Sequence, residues 1–291
     1  MDAEKTVEAQ NQLTNKLLMT LAVTAASVAS AQAGGTALAP HQAIYDITLE
    51  RSTTSSGIAD MTGRMVYELA GGACSGYTQS MRFVTRVVDR NGAASVNDLR
   101  TTSWEAAGGD LMRFNLSQYR GRELTETTEG TADREGATVA VELTKPATRA
   151  LNIDPEVFFP IQHSMALLKA AQDGQRQFPA RLYDGSEQGE TVFETNSFIG
   201  KKLPQAKALT GVPEKLRQVA ELDKLATWPV AISYFEPNAA GTDAAPSYEL
   251  AFRFHENGIS SNLLIDYGDF AIRGKLTGLK KLDPETCGEP Q

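Results

Sequence analysis

The chain has 291 residues, 41% hydrophobic and 22% charged, too apolar for wholesale disorder and long enough for one large domain or two small ones. Its 28 basic and 36 acidic residues leave a formal charge of −8, which argues against nucleic acid as a main partner, because neutralising phosphates needs a surplus of Lys and Arg. Three His and two Cys are too few for a zinc cluster or an iron–sulfur centre, so no metal and no other cofactor is expected.

The first element is an export signal. Lys16 precedes a short apolar run over residues 17–28, and Ala31-Gln32-Ala33 follows with the small residues that signal peptidase accepts. Cleavage is expected after Ala33, leaving residues 34–291 as a single β-rich domain in the periplasm. Gly34, not Cys, follows the cut, so lipoprotein processing is not expected. The segment departs from the usual pattern in one way: Asp2, Glu4 and Glu8 outnumber Lys5 and Lys16. A buried N-terminal helix is the rival reading. No apolar run reaches the roughly 18 residues that span a bilayer, so no transmembrane segment is expected.

Strand signals then dominate. Residues 43–49 put Tyr45, Ile47 and Leu49 on one face at period two, and residues 63–69 repeat this with Met65, Tyr67 and Leu69. Residues 77–89 alternate again through Met81, Phe83 and Val87, and Asn91-Gly92 turns them into a strand over 95–105. Gly108-Gly109 leads into 111–116. Residues 123–129 and 138–143 follow, the latter with Val139, Val141 and Leu143 inward. One helix interrupts: Pro160 suits its first position and Gly174 the position past its end, with Ile161, Met165 and Leu168 at helical spacing. Strands over 178–183 and 190–199 flank the Asp184-Gly185 turn. Residues 200–215, with Pro204, Pro213, Lys201, Lys202 and Lys207, read as a long loop. A strand over 228–235 and a small, polar loop tip over 237–246 precede a meander of 247–255, 259–267 and 270–279. No internal repeat and no composition break divides the chain. So many strands exceed what an open twisted sheet carries without curling. The expected fold is therefore mainly β: one long, strongly curved antiparallel sheet, a spiral or partly open barrel, with one main helix and a concave apolar side to be covered.

The exported chain keeps Cys74 and Cys287 alone. An even count in an oxidising compartment favours a disulfide, worth up to roughly 5 kcal/mol for a loop of this length. Cys74 as a nucleophile, in Gly72-Ala73-Cys74-Ser75-Gly76, and two free thiols are the other readings. Loss of the bond is expected to leave the last strand, over 270–279, as a fraying edge.

Patterns that carry catalysis are missing. There is no Gly-x-Ser-x-Gly elbow, phosphate-cradling loop, dinucleotide fingerprint or His-Glu-x-x-His, and no catalytic residue is assigned. His255-Glu256 lacks the second His. His163, on the helix, reads as a satisfied packing residue, and His41 lies just past the cleaved segment. Asp184 and Glu187 sit at a turn that wants Asp for its geometry. Asn115-Leu116-Ser117 matches a glycosylation sequon within a strand. Trp104 and Trp228 read as core residues.

A set of motifs runs in order through the chain: Leu38-Ala39-Pro40-His41 into Tyr45-Asp46, Gly63-Arg64-Met65-Val66-Tyr67, Cys74-x-Gly76-Tyr77, Phe159-Pro160-x-x-His163, Tyr183-Asp184-Gly185-Ser186-Glu187, Ile199-Gly200, and Cys287. From residue 40 to 287 the chain resembles the cell-envelope integrity protein EipB family of α-proteobacteria. The resemblance implies a periplasmic protein with a long sheet wound into a spiral and a disulfide joining Cys74 to Cys287. It also implies a role in keeping the envelope intact under stress, without known enzymatic activity. The family fold is similar to that of periplasmic lipoprotein carriers, and a periplasmic tetratricopeptide-repeat protein is a partner the resemblance suggests. The expected function is non-enzymatic: binding of a partner protein or a lipid on the curved sheet. A lipid or lipoprotein carrier is the alternative, and an exported hydrolase is the third reading. A large apolar cavity would favour a carrier, a shallow polar one a scaffold, and a cleft holding a strongly shifted acid or His an enzyme.

Overall fold

Period-two alternation runs through almost all of the chain, and in the computed structural model it builds one sheet. The structure describes residues 37–236 and 245–285. The expected signal peptide, most of the expected loop tip over 237–246, and Cys287 lie outside the described residues. The strands are β1 (His41–Ser52), β2 (Ile58–Gly72), β3 (Gly76–Asp89), β4 (Ala94–Glu105), β5 (Leu111–Arg120), β6 (Glu123–Glu135), β7 (Thr138–Lys145), β8 (Arg149–Ile153), β9 (Val157–Phe158), β10 (Gln177–Leu182), β11 (Phe193–Ile199), β12 (Thr227–Phe235), β13 (Tyr248–His255), β14 (Ser260–Asp266) and β15 (Phe270–Lys281). They form a single 15-stranded sheet in the order β8-β7-β6-β5-β4-β3-β2-β1-β15-β14-β13-β12-β11-β10-β9. Every pairing is antiparallel except β9 with β10. A sheet this wide curls into a nearly closed, barrel-like wall, as the composition of strands predicts.

Register fixes which side chains face the lumen. Tyr45 stands opposite Met65 on β2 and Leu276 on β15, and the same row continues to Phe83 and Leu99. The expected inward residues of β1 to β3 and β7 thus share one face. Because β15 is paired on both sides, by β1 and by β14, it is not an edge; the expectation of a fraying last strand is corrected by this order.

Helix α1 (Pro160–Gln172) covers one end of the lumen. Pro160 supplies a preset φ at the first turn. The orphan amides of that turn are met from outside the helix: Ile161 N and Gln162 N donate to the two carboxylate oxygens of Glu105, at 2.7 and 3.2 Å. Gly174, at φ +78°, ends the helix and lets Gln175 N reach back to Ala170 O at 2.9 Å. Ile161, Leu167, Leu168 and Ala171 are buried, while Met165 is half-buried.

The stretch expected as a loop over 200–215 contains two short helices, α2 (Gln205–Ala208) and α3 (Glu214–Val219). Pro204 and Pro213 sit at their N-caps, so each proline starts a helix instead of breaking one. Leu209, Val212, Leu216 and Leu222 are carried into the main core beside α1. A second, smaller core forms among β5, β6, β7 and β9, around Met112, Phe114, Val141 and Phe159. Trp228 is buried as expected, at 7% exposure. Trp104 is not: it neighbours the inward Glu105 and therefore faces out, half-buried, with the Arg113 guanidinium 5.1 Å from its ring centre.

Candidate functional site

Several strands read as sealed at one end and half-open at the other. On β1, residues from Ala43 to Ile47 are buried on the lumen side while Leu49 is half-buried; on β13, Phe254 and Phe252 are buried while Leu250 and Tyr248 are half-buried. Leu99 on β4 and Leu116 on β5 follow the same gradient, and on β3 Met81, Phe83 and Val87 are half-buried with Thr85 buried between Phe83 and Val87. The lumen is therefore a cup. Its floor is filled beneath α1 and the 201–226 segment, and its mouth keeps apolar side chains partly in reach of solvent.

The rim of that mouth carries a row of aromatic rings. Tyr234 stacks on Tyr248 with centroids 4.3 Å apart and planes 14° from parallel, Tyr248 meets Tyr267 at 6.0 Å, and Tyr267 stacks on Phe270 at 4.7 Å. Tyr267 is 39% exposed. Burial raises the phenols of Tyr234 and Tyr248, and the charge of Asp184 raises them further. Glu187 is pushed up by burial and then by the carboxylates of Glu126, Glu236 and Asp184. The side of the mouth lined by the aromatic row and residues 183–192 is thus apolar, aromatic and negative. The sequence reading missed this row, although its signal was present: these aromatics flank turns at strand ends, as in Tyr267-Gly268-Asp269-Phe270.

Residues 183–192 close the wall beside the mouth. Asp184 Oδ1 accepts from Ser186 N at 2.9 Å, the Asx turn expected of Asp, and the Tyr183 hydroxyl donates to Gly189 O at 2.9 Å. Glu187 and Gln188 both take positive φ, 48° and 59°, a cost that persists only where the surroundings enforce it. They do here: the ring of Phe114 lies 2.3 Å from where a Gly185 side chain would begin, and Leu143 lies 2.5 Å from the same point on Gly189. Gly185, at φ +75°, is therefore locked by both backbone and space. Gly185→Ala is expected to lower stability by about 2–4 kcal/mol in urea unfolding. Gly211→Ala, at φ +81° in open space, is expected to cost about 1 kcal/mol. Equal losses would show that closure does not depend on this contact.

The titratable groups that could suggest catalysis are sealed away. His255 Nδ1 bonds Thr227 Oγ1 and its Nε2 bonds Ser261 Oγ, both at 2.9 Å, and burial holds its pKa down to about 4. His255 and Ser261 are 0% exposed, so the pair is closed to a substrate. His41 donates from Nδ1 to Ala39 O at 2.7 Å, and burial lowers its pKa. Glu105, also 0% exposed, is pushed up to about 7 by burial against its two amide bonds. His163 packs between Phe158 and Phe178, at 6.2 and 5.6 Å, and burial lowers it to about 4. It packs as expected but is not satisfied: its Nε2 has no hydrogen-bond partner among the described residues. Asn115 lies on the exposed face of β5. No group of His, Cys, Asp and Glu among the described residues could hold a metal ion, and no helix among them is long and apolar enough to cross a membrane.

Cys74 lies exposed in the turn between β2 and β3. The C-terminal tail comes to the same turn: Ser75 Oγ donates to the Glu285 carboxylate, and Leu282 N donates to Pro40 O at 3.0 Å.

A family model described as EipB-like matches residues 32–283. Cell envelope integrity protein EipB of Brucella abortus (strain 2308) is 38% identical over 256 residues, covering 88% of each chain. A crystal structure titled as a beta-barrel-like protein of a domain of unknown function, also from Brucella abortus, superposes with a TM-score of 0.77. It is 38% identical and covers 84% of this chain and 99% of its own.

Proposed function

This chain belongs to the EipB-like family, and from that premise we propose that it is a non-enzymatic periplasmic factor that maintains cell-envelope integrity by receiving the apolar part of a lipid or lipoprotein in the mouth of its cup. The observation that carries this reading is a set of apolar side chains, Phe83, Leu99, Leu116 and Leu250, left half-buried on the lumen face of a wall sealed at its floor. Apolar surface held in a concavity is what a ligand site needs. The carboxylates of Glu126, Asp184, Glu187 and Glu236 at the rim disfavour an anionic head, so the occupant carries a neutral or cationic one. Sealing of Glu105, His163 and His255 argues for binding over catalysis.

The test is mass spectrometry of lipid extracted from the purified protein. The parent is expected to carry acyl chains. A Phe83→Glu, Leu250→Glu variant should keep its fold, lose the lipid, and fail to restore resistance to envelope-disrupting detergents in a deletion strain. A variant that keeps both lipid and resistance would sink the reading. A protein partner, such as a tetratricopeptide-repeat protein, is the second reading, favoured by the unpaired and exposed edge of β8.

Export and the Cys74–Cys287 bond belong to the same proposal. The approach of Glu285 to the Cys74 turn supports the bond, since Cys287 follows only two residues later. Export predicts a mature chain starting at Gly34.

A further inference from the structure

The outer wall at the floor end of the cup has chemistry opposite to that of the mouth. A groove of about 540 Å³ runs between the 203–210 segment and the outer face of β11 to β15. Its floor is apolar: Phe198, Leu203, Pro229, Ala231, Ala251 and Leu264. Phe198 is 47% exposed, a large cost to leave unused on a surface strand. Neighbouring depressions share residues with this groove. Through Phe198 and Gly200 it continues to Arg176, then to Lys201 and Lys202; through Asn262 and Arg273 it continues to Lys275. Lys207 stands on its own rim.

Charge is what singles this surface out. Arg176, Lys201, Lys202, Lys207 and Lys275 gather here on a chain of net charge −8, and none meets a carboxylate within 4.0 Å among the described residues. Two further cations are held in place by the fold. Arg253 donates to Ala208 O and Thr210 O, fastening the 203–210 segment to the wall, and Arg273 pairs with Glu50 at 2.6 Å. Among the described residues Glu256 is the one carboxylate lining these connected depressions, and it is engaged by Ala226 N. An apolar strip with an exposed phenylalanine, ringed by unpaired cations, complements a surface that is anionic at its face and hydrocarbon beneath.

We propose that this outer wall is a docking surface for an anionic phospholipid bilayer, with Lys201, Lys202 and Lys207 against the headgroup phosphates and Phe198 entering the interface. The inference rests on the reading that the protein works in the cell envelope, and it names the surface on which it does so. It also gives the two faces separate tasks: the basic wall docks, while the acidic mouth, turned away from the same phosphates, receives the cargo.

The experiment is vesicle co-sedimentation of the exported protein at 50 mM NaCl. Vesicles of 30% phosphatidylglycerol in phosphatidylethanolamine are expected to carry the protein down; pure phosphatidylcholine vesicles are not, and 0.5 M NaCl should release it. At about a fivefold contribution per basic residue near the surface, the Lys201→Gln, Lys202→Gln, Lys207→Gln variant should bind about a hundredfold more weakly. The Arg86→Gln, Arg120→Gln, Arg122→Gln variant changes net charge equally at exposed positions elsewhere and should bind as the parent does. Phe198→Ser should lower binding with the cations intact. Inorganic phosphate at 10 mM should not compete. Equal losses in the two triple variants, equal binding to neutral vesicles, competition by free phosphate, or a dimer abolished by the lysine substitutions would each overturn the proposal. None of these outcomes bears on the lipid content of the mouth, so the two readings fail separately.

Discussion

Replacing Cys74 or Cys287 with Ser is expected to lower the melting temperature of the exported protein by roughly 5–15 °C. The proposed bond would close a loop spanning most of the sheet. The chain-entropy relation then gives up to roughly 5 kcal/mol, and retained structure in the unfolded chain brings the expected loss to about 2–5 kcal/mol. The tail it anchors has little else to hold it, because its described contacts are polar and few: the Ser75 bond to Glu285 and the Leu282 amide on Pro40. The double replacement should cost no more than either single one, since each alone removes the same bond. Reductant should reproduce the shift in the parent and do nothing to the double variant. Two alkylatable thiols in the exported protein would refute the bond. The strand before the tail should remain in the sheet even so, because β15 is paired with β1 from Phe270 to Lys281 and with β14 over Ala271–Gly274.

Acid should destabilise the fold through its histidines, and Glu105 should soften that loss. His163 and His255 are held near 4 by burial, against an ordinary value of 6.5. A depressed histidine contributes stability that is complete above pH 6.5 and is lost as pH falls toward 4, by roughly 3 kcal/mol for each. Glu105 is raised to about 7 from 4.5, so its contribution has the opposite sense. It is complete below pH 4.5 and is lost as pH rises through 7, again by roughly 3 kcal/mol. The unfolding free energy should therefore be highest near neutrality and fall by roughly 3 kcal/mol between pH 7 and pH 4. In Glu105→Gln, where no carboxyl recovers its proton on acidification, the same interval should cost roughly 6 kcal/mol. Urea titrations at each pH measure this directly. Parallel curves for the two proteins would show that Glu105 is ionised throughout.

Period two in the sequence assigns side chains to faces, and the faces of β1, β2, β3 and β7 were legible for that reason. Turn chemistry placed the hairpin at Asn91-Gly92, and proline and glycine bracketed α1. What those signals cannot carry is which strands meet across the lumen. Asp184-Gly185 announces a turn, but nothing local says that it will press on Phe114, some 70 residues earlier. Prolines misled at 204 and 213, because the same residue that ends one element can begin the next. Trp104 misled because size suggests burial, whereas its neighbour Glu105 had taken the inward position to meet the amides of α1. The mouth was legible only in part: its apolar residues alternate on schedule, while the aromatic row joins the ends of four successive strands, β12 to β15, which only their pairing sets side by side.

The pairing of β1 with β15 also bears on how the molecule is made. The strand order places β1 in the middle of the sheet, with β2 to β8 laid down outward on one side and β15 to β9 on the other. During synthesis the first wing can grow hairpin by hairpin, each strand beside the one just finished. The second wing lies in reverse order, and its innermost strand is the last to emerge. Until then β1 has one flank unpaired, and that flank belongs to the strand carrying Ala43, Tyr45 and Ile47, among the most buried residues of the core. The join between the wings is thus a late, long-range event, slow for reasons of chain entropy, and a nascent chain released before residue 270 would present the centre of its sheet as an open edge.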